Sequence, residues 1–181
     1  MKRLKISDLK KSSDLEIGHL QRGRGVSAFP DPNVYWGDVS EGMRTIIVPW
    51  MFVAAAGYLL MMHRFFLSWS EEEVASLHYP WQQNDGHGVR RLFVLYAAFL
   101  LCSVVWIDLT RMYIESPSSL GMVAIVAVLW TAGLASVGFG VLAWPARERL
   151  PGARRVVLGS VMLSIQCTWW DAIYWVANFG F

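Results

Sequence analysis

Wound at about 100° per residue, Ser160, Ser164, Cys167, Asp171, Tyr174 and Asn178 fall within roughly 40° of one line. They form a polar stripe on an otherwise apolar stretch. Hydroxyls and a carboxylate so placed have to face protein or water, because hydrocarbon offers them no partner. A second acid, Asp108, stands in another apolar run with Arg111 one turn further on. If the two runs are parallel helices, Asp108 and Asp171 share a depth about 10 Å inside the same face, and Arg111 can reach either. An intramembrane Asp is unfavourable by about 2.5 to 3.5 kcal/mol near the bilayer centre. Asp108, Arg111, Asp171 and Tyr174 therefore read as a site for a proton, an ion or a quinone headgroup. The plainer alternative is a structural ion pair between helices, or an Asp108–Arg111 pair reaching the interface within one helix.

His63 is the one histidine inside an apolar run, where an imidazole could ligate a haem or a chlorophyll-type magnesium. Bis-histidine haem needs a second intramembrane histidine, and His19, His78 and His87 all fall outside the runs, which argues against that cofactor. His78 and His87 share a polar loop with Glu71, Glu72, Glu73 and Asp85, but their spacing matches no compact metal motif. Cys102 and Cys167 lie singly in apolar runs and read as packed thiols, not as a disulfide framework or a metal pair. Of the ten tryptophans, Trp36, Trp50, Trp69, Trp81 and Trp144 suit interfacial belts, whereas Trp106, Trp130, Trp169 and Trp170 lie deeper. Deep rings pack against neighbouring helices or against flat apolar cofactors such as quinones, carotenoids or chlorins.

The elements that carry these residues are membrane spans. The uncharged run from Ser116 to Ala146 exceeds the ~20 apolar residues that cross a bilayer core, and Ser116 with Pro117 supplies an N-cap and a first-turn proline for it. Its Ala132, Ser136 and Gly140 recur every fourth position, a small face built for close helix approach. Comparable runs predict spans at about 45–69, 92–114, 117–144 and 156–178. The Ser70–Glu73 capping-box spacing predicts a short interfacial helix at about 71–79, between the first two spans. The tight basic turn from Pro145 to Arg155 makes the last two spans antiparallel neighbours. The expected fold is an all-α integral membrane protein of four up-and-down spans, residues 45–181, behind a polar, basic tail of residues 1–44.

That tail holds eight of the sixteen Lys and Arg, and its Gly/Pro-rich stretch from Arg22 to Pro32 breaks helices repeatedly. A short helix near Ser7 to Leu20 is the one element expected there. With no apolar core of a signal peptide at the start, the first span should act as an uncleaved insertion signal. Arginines near span ends favour one orientation, since Arg64, Arg90, Arg91, Arg147, Arg149, Arg154 and Arg155 oppose Arg44 and Arg111. Export of a long basic tail without a signal opposes that orientation and tips the expectation to a cytoplasmic N-terminus in a cell inner, energy-transducing membrane. A net charge of +2 gives no reason to expect nucleic acid, and 55 % hydrophobic content with 17 % charged residues is too apolar for an ordinary soluble domain.

Packing faces and deep aromatics abound, while no catalytic triad, phosphate loop or paired-cysteine motif is evident. The expected role is an accessory or anchoring subunit of a larger electron-transfer or light-harvesting complex, non-catalytic itself. Its partners would be other membrane subunits and lipid, with quinone, pigment or carotenoid as candidate ligands. A small oligomeric transporter or enzyme using Asp108, Arg111 and Asp171 is the alternative.

Overall fold

The computed structural model describes residues 31–181; the short helix expected near Ser7 to Leu20 lies outside the described residues. A 3-10 turn at Pro32–Trp36 comes first, and Tyr35–Phe181 forms a compact unit. Five helices follow in order: α1 (Glu41–Ser68), α2 (Glu71–Ala75), α3 (Gly88–Glu115), α4 (Ser119–Ala146) and α5 (Ala153–Asn178). All but α2 are long and apolar enough to cross a membrane. The chain is thus a four-span helical membrane protein.

Local chemistry sets where the helices begin and end. Ser40 caps α1 by accepting the Met43 N–H at 3.4 Å, and Glu41 places negative charge in the first turn, so the helix starts ahead of residue 45. Ser118, not Ser116, caps α4 by accepting the Gly121 N–H at 3.1 Å, which leaves Pro117 outside the helix. The expected capping box opens α2: Ser70 Oγ accepts from Glu73 N at 3.2 Å, and Glu73 Oε2 accepts from Ser70 N at 2.8 Å. Yet α2 stops at Ala75 instead of continuing to residue 79. Ser76 Oγ donates to Glu73 O at 2.7 Å, Leu77 turns into the core at 1 % exposure, and Pro80 disfavours helical backbone just before it. Gly152, at φ +82°, makes the turn into α5, where a Cβ would fall 2.7 Å from Arg64 Nε.

Helix α1 packs on α5, α5 on α4, and α4 on α3. The first contact is a crossing of backbones at Gly57 and Gly159, with no side chain between them. The second uses the small face read from the sequence: Ala132, Ser136 and Gly140 are all buried, Ser136 and Gly140 against α5. There Ser160 Oγ donates to Ser136 O at 2.7 Å, Ser136 Oγ donates to Gly133 O at 2.6 Å, and the Ser136 and Ser164 hydroxyls lie 3.1 Å apart. In contrast, α1 and α3 meet through rings: Tyr58 OH donates to Tyr96 OH at 3.2 Å, and Tyr58 stacks on Phe99 at 5.9 Å. Met61, Phe65, Phe139 and Leu142 fill the core between them. Trp69, expected in an interfacial belt, is buried instead; its Nε1 donates to Pro151 O at 3.0 Å and pins the end of α1 to the α4–α5 turn.

Two stretches are π-wound, His63–Ser68 at the end of α1 and Ile165–Trp175 within α5. At the end of α5, Asp38 N donates to Asn178 O at 2.7 Å and Trp175 Nε1 to Tyr35 O at 2.8 Å, which joins the two ends of the compact unit at one face of the bundle. An even number of spans requires that arrangement.

Candidate functional site

The π-wound part of α5 builds the site. In an α-helix, residues five apart point about 140° away from each other. In π winding, each N–H bonds the carbonyl five residues back, so positions five apart come onto one side. Gln166 and Asp171 are such a pair, and Gln166 Nε2 donates to Asp171 Oδ1 at 2.8 Å. Gln166 sits near the middle of the span at 6 % exposure. A carboxylate only accepts hydrogen bonds, so this contact turns the amide N–H₂ toward Asp171 and the amide oxygen away from it.

Gln166 and Asp171 are among the residues that line a cleft of about 450 Å³ to which all four spans contribute. Trp36, Tyr58, Trp106, Trp170 and Trp175 supply its rings, and Gln166 and Asp171 supply its polar lining. Trp175 is held in place by its bond to Tyr35 O and by an edge contact to Trp106 at 5.9 Å. Two buried polar atoms of cleft-lining residues have no hydrogen-bond partner: Gln166 Oε1 and Trp170 Nε1. One is an acceptor and the other a donor. A space of this size, largely apolar and with a few polar groups, has the form of a small-molecule site.

The cluster expected from the sequence does not assemble around Asp171. Arg111 Nε bonds Glu115 Oε1 at 2.9 Å, one turn along its own helix, and does not pair with Asp108 or Asp171. Asp108 stands exposed on the surface of α3, so a shared depth did not bring the acids together. Depth follows from counting residues, whereas facing depends on how each helix is rotated. Tyr174 packs edge-on against Trp170 at 5.5 Å, and its carbonyl accepts from Asn178 Nδ2 at 2.7 Å; it lies beside the cleft and is not among its lining residues. His63 is exposed where the first π segment begins, five residues beyond Tyr58, the last residue of α1 to line the cleft, and is not itself among the lining residues. Trp106 and Trp170, which read as deep rings in need of large partners, both line it. Gln166 was the residue missed: its signal was a single amide in mid-span, off the stripe that uniform α winding produces.

On the opposite face, the polar loop is held by charge. Arg91 grips Asp85 with two hydrogen bonds, at 2.8 and 2.6 Å, and also donates to Leu77 O at 3.2 Å. The guanidinium, helped by the His87 N–H, holds the Asp85 carboxyl well below the usual carboxylate range. His78 is engaged with Tyr79 O at 3.0 Å, and no group of three or more metal-ligating side chains occurs among the described residues.

No protein-family model, curated protein or solved structure matches the chain.

Proposed function

We propose that this chain is an accessory membrane subunit of a larger energy-transducing assembly, with the aromatic cleft as its own ligand site. The observation that carries the reading is the place of Asp108. Seven residues from the end of α3, about 10 Å inside the span, its carboxylate stands exposed among the exposed side chains of Val104, Val105, Ile107 and Met112. Lipid has no donor to give it there. A neighbouring subunit would supply one and would cover the apolar surface around it. The cleft suits a flat, largely apolar molecule of the quinone, pigment or lipid class. In this reading the assembly lies in an inner, energy-transducing membrane with the tail on the cytoplasmic side.

Extracted from its native membrane in mild detergent, the chain should run within a particle several times its own 20.5 kDa. Asp108→Leu should release it from that particle, while Asp108→Asn, which still offers hydrogen bonds, should be held more tightly than the leucine variant. A wild-type chain that runs alone sinks the proposal, as does an Asp108→Leu chain that stays in the particle. The half-buried acid at Asp171 favours a second reading, a small transporter or enzyme that uses its charge. In that case Asp171→Asn should cut turnover or transport at least tenfold at equal amounts of assembled protein, whereas an accessory subunit should leave its assembly active.

A further inference from the structure

On the face that carries the polar loop, a second space of about 370 Å³ is lined by Tyr79, Gln82, His87, Arg90, Arg91 and Val94. His87, Arg90, Arg91 and Val94 stand three or four positions apart and so share one side of α3; Arg91 N donates to His87 O at 3.1 Å, which carries the helical turn back to the histidine. Tyr79 and Gln82 come from the loop, as the two ends of a turn in which Gln82 N donates to Tyr79 O at 2.9 Å. The two arginines differ. Arg91, with its side chain 14 % exposed, is committed to the loop: its terminal nitrogens bond both oxygens of Asp85, and one of them also bonds Leu77 O. That pair is neutral and fixes the loop against the helix. The Arg90 guanidinium is exposed and has no hydrogen-bond or ion-pair partner among the described residues. No carboxylate lines this space. Glu71 lines a different pocket with Val89 and Phe93, which lie on the other side of α3 at about 100° per residue. The lining therefore carries one uncompensated positive charge, together with the hydrogen-bond donors of Gln82, His87 and Tyr79.

Depth in the bilayer narrows the ligand further. Arg90 is the third residue of α3, about 3 Å from the start of the span. Trp81, exposed and stacked on Tyr79 at 5.1 Å, suits the headgroup level. Below them, Val94 and Leu101 continue the Arg90 side of the helix as exposed apolar surface. The order is charge at the water boundary and hydrocarbon contact beneath it, and the flat fork of a guanidinium matches two oxygens of a phosphate. We propose that this space binds the headgroup of an anionic phospholipid, with the phosphate on Arg90 and a chain along Val94 and Leu101. A zwitterionic lipid brings the same phosphate, but its own ammonium cancels the charge that Arg90 offers to meet. Arg91 and Asp85 are positioning residues that hold the loop wall. The site is independent of the aromatic cleft and of any partner subunit.

The test uses the full chain in detergent micelles, with bound lipid counted by native mass spectrometry. The probes are dioleoyl phosphatidylglycerol, dioleoyl phosphatidylcholine, which has the same chains, and inorganic phosphate, which brings the anion without chains. One arginine near a membrane surface favours an anionic lipid about fivefold, so the first phosphatidylglycerol should bind about fivefold tighter than the first phosphatidylcholine. Arg90→Gln, which removes the charge and keeps N–H donors, should bring the two lipids within about twofold of each other. Arg154→Gln is the control: Arg154 is exposed at the start of α5, toward the same membrane face, and does not line the space, so its loss should leave the preference intact. Inorganic phosphate at equal concentration should not displace phosphatidylglycerol. Thermal unfolding checks that each variant is folded, and the wild-type preference stands as a test without them. Equal binding of the two lipids by the wild type overturns the proposal. An equal loss of preference in Arg90→Gln and Arg154→Gln does so too, since it would mean diffuse surface charge and no site. Displacement by inorganic phosphate would overturn the lipid as occupant in favour of a soluble anion.

Discussion

The close crossing of α1 and α5 makes a sharp prediction at Gly57. An alanine there would place its Cβ 2.7 Å from Gly159 O, 2.8 Å from Met162 Cβ and 3.3 Å from Gly159 Cα. Carbon atoms sit best about 3.5 to 4.0 Å apart, so the two helices must part by something near 0.7 Å. Two of the three obstacles are backbone atoms, which have no rotamer to change. Overpacking of this kind is destabilising by about 1 to 3 kcal/mol; the gain in helix propensity from Gly to Ala recovers at most about 1 kcal/mol of it. The net expectation is a loss of about 1 to 2 kcal/mol, roughly a 5- to 30-fold shift in the folding equilibrium. Gly42 is the control, since a Cβ added there meets nothing within 4 Å; Gly42→Ala should be neutral or stabilising by up to about 1 kcal/mol. Reversible unfolding in mixed micelles, followed by tryptophan fluorescence, measures both. Gly57→Ala as stable as the wild type would show that the helices do not touch through their backbones, and the packing order would have to be redrawn.

Two further expectations concern the second helix contact and the polar loop. At Gly140 a Cβ would lie 2.5 Å from Ser160 Oγ and 2.9 Å from Ser160 Cβ, so Gly140→Leu should separate α4 from α5, break the Ser160–Ser136 bond, and lower stability in the same assay by about 2 kcal/mol or more; an unchanged unfolding midpoint would refute the close approach. Because Asp85 is held below the usual carboxylate range, its tie to Arg91 is complete above about pH 4, near the ordinary value, and is lost as pH falls through the depressed one. Carbon NMR of the Asp85 carboxyl in bicelles should therefore show no titration from pH 7 down to about pH 4, with the loop loosening only in stronger acid, while Asp85→Asn should loosen it already at pH 7. A carboxyl that titrates above pH 4 would mean that Arg91 does not hold it.

What the chain determines by itself about this protein is its relation to the bilayer. Runs of apolar residues the length of the hydrocarbon core, the Ser70–Glu73 cap and the basic turn before Arg155 gave the four spans and α2, because each depends on neighbours within one or two helical turns. The small face of Ala132, Ser136 and Gly140 was legible for the same reason. Helix ends moved by a few residues where a different serine took the cap, as Ser118 did from Ser116. The site was less legible. Asp108 and Asp171 were matched by depth, yet depth says nothing about rotation, and α3 turns Asp108 outward. The polar stripe assumed uniform α winding through residues that the bundle holds in π winding. That change of winding moves Gln166 to the side of Asp171, in the wall of a cleft drawn from all four spans. Local pattern therefore decided which segments are helices. Tertiary packing decided how each is turned and wound, because that balance depends on contacts with residues a hundred or more positions away, such as Tyr35 with Trp175.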